Sequence, residues 1–244
     1  MQTIYGNEYK VRNPERTLPY SGTFLGASLP KEIRHILDPE RSAIAVELQI
    51  EKGASGPNMT KLKTDSRAAA FLEAVFVSAI VEDYLKTVGT QTGSSVFVAV
   101  PHHIQRQAIL NQMNITALTE EYPLIQLKVD TIEKMQGQEA DLVVVCFAFF
   151  DESMLVGELE YMYSVHRWVV ALSRARCKTV LMMTPELRTP KLLGGASKAK
   201  ASSLESLDGW GLLQAFEKYA VSLGGKLELP INETLLCEVG MDAF

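Results

Sequence analysis

The stretch DTIEKMQGQEADLVVVC, residues 130–146, sets a polar turn directly against a strand that has no polar position after its first residue. Continued to DLVVVCFAFF, residues 141–150, the run is apolar at every position after Asp141, which marks a strand buried on both faces of a parallel sheet. Gly137 lets backbone come close to a ligand, and Gln136 and Glu139 offer amide and carboxylate partners. A turn whose polar residues simply face water satisfies the same letters. A second stretch, RWVVALSRARCKTVLMM, residues 167–183, repeats the arrangement: a helix with Arg174 and Arg176 on its last turn feeds another apolar strand. Cations at a helix C-terminus are favoured by about 0.3–1 kcal/mol without any ligand. An arginine fork also neutralises charge on a transferring phosphoryl group, and spacing leaves both readings open.

Working outward, SAIAVELQIEKG from Ser42 reads as a first strand ending at Gly53, followed by a polar loop, GASGPNMTKLKT. Asp65 or Ser66 then caps a long helix in which Phe71, Val75, Ile80 and Leu85 recur near helical spacing. SSVFVAVP is a strand up to Pro101, HHIQRQAILNQM a helix, LIQLKVD a third strand and DLVVVCFAFF a fourth. ELEYMYSVHRWVVALSRAR reads as one helix leading into a fifth strand, KTVLMMTP. Near-continuous Val, Ile and Leu strands alternating with helices predict an α/β fold, a parallel sheet with helices on both faces.

The expected organisation is an irregular, Pro- and Arg-rich lead-in over 1–41 that continues from an upstream domain, and an α/β domain over 42–193. A small, polar linker follows over 194–208, and then an accessory helix and tail over 209–244. In open parallel sheets ligands sit outside the carboxyl ends of the strands, so the loops after Pro101, Asp130 and Phe150 are the first places to look.

Composition limits what such a domain does. The chain has 244 residues, 47% hydrophobic and 22% charged, enough for a substantial core. Lys and Arg total 24 against 29 Asp and Glu, so no global basic field advertises nucleic acid and any such binding is local. Cys146, Cys177 and Cys237 are odd in number and lack metal-ligand spacing. The two in apolar strand contexts read as reduced core thiols, which favours a cytoplasmic or nuclear protein, and no metal site is expected. No apolar run approaches the ~18 residues of a membrane span, and the expectation is no membrane partner.

Taken together, TIEKMQGQEADLVVV and RWVVALSRARCKTVLMM resemble two motifs of the superfamily 1 helicases. The likeness is to the branch that holds the nonsense-mediated-decay RNA helicase and the replication helicase-nuclease. Those motifs typically read T-V-D-x-F-Q-G-x-E and R-x-N-V-A-L-T-R-A-R. Thr131, Gln136, Gly137 and Glu139 match the first; Arg167, Val170, Ala171, Leu172, Arg174, Ala175 and Arg176 match the second. VAVPHHIQRQ is similar to the family's T-P-Y-x-x-Q through Pro101 and Gln105, with His102 in place of Tyr.

The resemblance covers about residues 42–185 and implies the second, C-terminal RecA-like domain of a helicase, a P-loop-type fold without its own P-loop. It implies that Arg174 is the catalytic arginine finger. Gln136, Gly137, Glu139 and Arg167 then line the nucleotide cleft, while Thr131, Pro101, His102 and Gln105 meet the nucleic acid. ATP with Mg²⁺ is the implied cofactor, bound mainly by a domain absent from this chain. The implied partners are single-stranded DNA or RNA and an N-terminal RecA-like ATP-binding domain, in cis or in trans.

Departures from the pattern carry a second expectation. Val169 stands where the family has Asn, Glu133 where it has Asp and Met135 where it has Phe. YKVRNPE, from Tyr9, resembles a worn copy of the family's Y-R-M-H-P segment, with Lys10 for its arginine. No G-x-x-x-x-G-K-[ST] occurs, so the isolated chain is expected to hydrolyse nothing. The alternative is a degenerate module that binds nucleic acid or a protein partner without hydrolysing ATP.

Overall fold

The computed structural model describes residues 17–18, 35–89, 93–188 and 204–243. The first strand, β1 (Ala43–Ile50), is followed by helices α1 (Pro57–Thr64) and α2 (Ser66–Val88) and by β2 (Ser94–Val100). Helices α3 (His103–Gln112) and α4 (Ile115–Glu121) lead to β3 (Ile125–Thr131). A 3-10 turn (Ile132–Met135) then precedes β4 (Ala140–Phe147). Three short helices, α5 (Glu152–Gly157), α6 (Leu159–Met162) and α7 (Val165–Leu172), run to β5 (Ala175–Met183). After α8 (Pro185–Arg188) come α9 (Leu204–Ser222), β6 (Lys226–Ile231) and α10 (Glu233–Glu238).

Six strands form one sheet in the order β3-β2-β4-β5-β1-β6, and every pairing is parallel. The alternation within β4 shows why its sequence is apolar throughout. Leu142, Val144 and Cys146 enter the core on one face, with α1, α2, α3 and α10. Val143, Val145 and Phe147 enter the other, with α5 to α9 and the 3-10 turn. Each such side chain contributes ~1.5–3 kcal/mol by leaving water. Trp168 anchors the second face: its ring stacks on Phe147 at 4.5 Å, and Nε1–H donates to the Met162 carbonyl at 2.8 Å.

Three expectations are corrected. The loop read over 53–64 contains α1, which Pro57 starts at the first helical position, where a missing N–H costs nothing. Its next two amides, Asn58 and Met59, donate to the Glu233 carboxylate at 3.1 Å each. The single helix read through Arg176 is broken, for α7 stops at Leu172 and Arg176 lies within β5. The tail is not accessory to the sheet, because β6 pairs with β1 and α9 covers β1 on one face. That helix starts at Leu204, inside the stretch expected as a linker, and the rest of the linker lies outside the described residues.

Most of the lead-in also lies outside the described residues, as do Tyr9 and Lys10. Its end is tied down by Lys178, a buried residue whose Nζ donates to the carbonyls of Asp38, at 2.6 Å, and Arg41. Burial pushes the Lys178 amine down to about 7.

Candidate functional site

Two rims of the sheet carry the residues singled out in the sequence. The first lies at the amino ends of β4 and β5. The 3-10 turn packs Ile132 and Met135 into the core and carries the chain toward that rim, where residues 136–139 are exposed. Gly137 adopts φ 76°, and a Cβ there would meet nothing, so the glycine answers to backbone conformation rather than to crowding. The neighbouring Gln138 locks the turn: its amide donates to the Lys134 carbonyl at 3.0 Å, and its oxygen accepts from Lys128 Nζ at 2.9 Å. Gln136 and Glu139 stay at the surface.

Arg174 sits beside this turn, because the Ala140 amide donates to the Arg174 carbonyl at 3.0 Å. Its guanidinium is held locally: Nε–H donates to the Val170 carbonyl at 3.1 Å and Nη2–H to Ser173 Oγ at 2.8 Å. Among the described residues it makes no ion pair. Arg176, two residues on, is differently placed. Its Nη2 donates to Asp141 Oδ2 at 2.9 Å and to Ser95 Oγ at 2.7 Å. The same carboxylate oxygen accepts from the Ser95 amide and hydroxyl and from Ser94 Oγ. Arg176 is a structural cross-link between β2, β4 and β5.

The second rim lies at the carboxyl ends of β2, β3 and β4. Pro101 and His102 follow β2, and His102 stacks on Tyr161 with centroids 4.8 Å apart and planes 15° apart. Phe149 meets the same imidazole edge-on at 5.7 Å. Its Nε2 lies 3.0 Å from Glu158 Oε2, an ion-pair distance without hydrogen-bond alignment. Burial lowers the His102 pKa, outweighing the attraction of Glu158. Tyr161 donates its hydroxyl to the Pro101 carbonyl, and the Arg167 guanidinium lies 3.4 Å from its ring centroid.

Arg167 also pairs with Glu133, Nε to Oε1 at 2.5 Å. Burial alone would raise the Glu133 carboxyl, but hydrogen bonds from its own amide and from Arg167, together with the arginine's charge, hold it below the usual range. Thr131 ends β3, is buried, and its hydroxyl adds to that hold. The structure therefore gathers Pro101, His102, Thr131 and Arg167 around two residues that the motifs did not single out, Tyr161 and Glu158. Their spacing in the sequence carries no signal for this.

Gln105 is turned inward, 2% exposed, and its Nε2 donates to Glu73 Oε2 at 2.9 Å. The other oxygen of Glu73 accepts from the Ala148 amide at 2.9 Å. Full burial pushes the Glu73 carboxyl up to about 8, against the pull of those two bonds. A neutral Glu73 needs an acceptor for its proton. The Gln105 Oε1, which has no partner as placed, supplies one after a 180° rotation of the amide. Gln105 thus braces α2, α3 and the end of β4 from beneath the rim. Among the described residues no group of three or more His, Cys, Asp or Glu is arranged to hold a metal ion.

Comparison with known proteins gives this geometry a family. A family profile described as an AAA domain matches residues 4–186, most of the chain. The chain belongs to that family, whose helicases are of the superfamily 1 type. It is also 27% identical over 119 residues to a fission yeast (Schizosaccharomyces pombe) protein named DNA replication ATP-dependent helicase/nuclease dna2. The match takes up 49% of this chain and 8% of that protein. The chain is a helicase-family domain built on a RecA-like α/β sheet. Among the described residues no helix is long and apolar enough to cross a membrane.

Proposed function

We propose that this chain is the C-terminal RecA-like half of an ATP-dependent nucleic-acid helicase, in the branch with the nonsense-mediated-decay and replication helicases. The observation that carries this reading is the meeting of the QGQE turn with Arg174 through the Ala140–Arg174 hydrogen bond. Two motifs that are distant in sequence present an arginine and an exposed polar turn on one rim, as an interdomain nucleotide cleft requires.

The residues present fit one wall of such a cleft. Arg174 offers a guanidinium with no carboxylate partner among the described residues, and Gln136 and Glu139 offer exposed polar groups on the turn that leads to its main-chain partner, Ala140. A phosphate-cradling loop with its lysine is not in the sequence, so ATP and Mg²⁺ are assigned mainly to an opposing domain. Bound there, the nucleotide supplies the phosphoryl group and Mg²⁺ neutralises part of its charge. Arg174 neutralises charge as it develops on the transferring group, and its fork is already oriented by Val170 and Ser173. Arg167, held by Glu133 and Tyr161, lies at the second rim, away from Arg174. Pro101, His102 and Thr131 sit on the second rim, where a single strand of DNA or RNA is assigned.

The test is ATP hydrolysis by the native protein that joins this chain to its ATP-binding half, with and without poly(dT) or poly(U), beside the 244-residue chain alone. Hydrolysis that the polymer stimulates in the longer protein, with none in the chain alone, is the expected result. Both forms binding the polymer while neither hydrolyses ATP establishes the other reading, a degenerate binding module. Val169 favours that reading in one respect, since it packs its side chain against the core and offers the cleft no polar group.

A further inference from the structure

Tyr161 lies at the centre of the second rim, although it belongs to neither motif. Its hydroxyl donates to the Pro101 carbonyl in the loop after β2, and its ring stacks on His102 of the same loop. The Arg167 guanidinium lies on the same ring, and Arg167 Nη1 donates to the Tyr161 carbonyl at 3.3 Å. Through Arg167 the contacts pass to Glu133, in the 3-10 turn that continues into Gln136 and Gly137. The ring's attachments to the β2 loop are a stack and one hydrogen bond, and those to Arg167 are a cation–π contact and one hydrogen bond.

We infer that Tyr161 is a positioning residue that couples the Pro101–His102 loop to Arg167 and the QGQE turn. Occupancy of the nucleic-acid rim thereby sets the geometry of the nucleotide rim. This rests on the proposed helicase reading for the roles of the two rims. A displacement of His102 by a bound strand moves the ring it stacks on, and the guanidinium on that ring moves with it. Without the ring, Arg167 keeps its pairing with Glu133 and the QGQE turn keeps its own anchors through Gln138 and Ala140, so basal hydrolysis survives while its response to the strand is lost.

The experiment measures ATP hydrolysis by the native two-domain protein without polymer and with saturating poly(dT) or poly(U). Wild type is compared with Tyr161→Leu and Tyr161→Phe. The expected result for Tyr161→Leu is a fall of about tenfold in the stimulated kcat, with the unstimulated rate within about twofold of wild type. Tyr161→Phe, which keeps the ring and both of its stacked partners, retains most of the stimulation. A merely structural tyrosine lowers both rates in the same proportion, and that outcome overturns the inference. So does unchanged stimulation in Tyr161→Leu. If Tyr161→Leu does not fold, the inference rests on His102→Leu, which removes the stack from the opposite side and must lower stimulation in the folded protein. A wild-type protein with no stimulation at all removes the helicase reading and this coupling together, whereas stimulation that survives in the variants removes the coupling alone.

Discussion

The main-chain amide of Ala140 donates to the carbonyl of Arg174 across 3.0 Å, so the residue that opens β4 is pinned to the residue that precedes β5. This is a sheet contact made one residue before the regular β4–β5 ladder, which begins at Ala140 and Ala175. The position of Arg174 is therefore fixed by backbone pairing, and its side chain is not required to hold the fold. The guanidinium takes two local acceptors, the Val170 carbonyl and Ser173 Oγ.

Replacing Arg174 separates function from stability. Under the proposed function, Arg174→Ala in a protein that joins this chain to an ATP-binding half is expected to lower ATP hydrolysis by ~10³ or more, the usual worth of an arginine finger. Arg174→Lys should recover little, because an ammonium lacks the planar fork. Urea unfolding of either variant should stay within about 0.5 kcal/mol of wild type. Hydrolysis within a few-fold of wild type in Arg174→Ala removes the assignment.

Arg176 gives the opposite profile. Removing it takes the Arg176 guanidinium from the Asp141 carboxylate, which is also bonded to Ser94 and Ser95. The pair is partly open to solvent, so the loss is set below that of a fully buried bridge, at about 1–3 kcal/mol. Arg176→Ala should lower the urea midpoint while leaving hydrolysis per folded molecule within about threefold. A variant as stable as wild type contradicts the structural role.

The contrast between these two arginines marks what the sequence made legible. Five of the six strands follow from their apolar runs, and the meeting of the QGQE and RAR segments follows from motif order. The partners of Arg176 do not: Asp141 is 35 positions away and Ser95 81, on other strands. Strand β6 was hidden because KLELPI mixes Lys, Glu and Pro with its apolar residues, as an edge strand does. Helix α1 carried one readable sign, Pro57 after a glycine, but its missing cap is Glu233, 175 positions away. Tyr161 was silent because its meaning lies in what it touches.

Buried Glu73 predicts a pH dependence of stability. Its carboxyl titrates at about 8 in the folded chain, against an ordinary value of 4.5. Between those values the folded state holds a proton that the unfolded state has released, so stability is full below about 4.5 and falls as pH rises toward 8. Lys178 acts in the other sense and in a different window. Its amine, at about 7 when folded against 10.5, makes stability rise between those values. The melting temperature of Glu73→Gln should therefore stay flatter than wild type from about pH 5 to 7, since the amide mimics the protonated acid. Parallel profiles for the two proteins mean that Glu73 is not the source.

The last strand and helix predict that the tail is indispensable to folding. Glu233 accepts from the amides of Asn58 and Met59 and so supplies the cap that α1 lacks in its own sequence. The fit is tight: Gly56 has φ 150°, and a Cβ on it would come within 2.4 Å of the Glu233 carboxyl group. On the other face, Leu213, Phe216 and Ala220 of α9 are fully buried against the sheet. At Gly209 the approach is close enough that a Cβ would overlap the Tyr163 carbonyl. Glu233→Ala should cost about 1–2 kcal/mol, the usual loss of a helix cap, and Gly56→Ala should cost at least as much by displacing the same carboxylate. A chain ending at residue 203 loses α9, β6 and α10 together and uncovers the part of the second core face that α9 buries, so it should give no cooperative thermal transition. A sharp transition in that truncated chain, near the wild-type temperature, shows that residues 42–188 fold without the tail and reverses this conclusion.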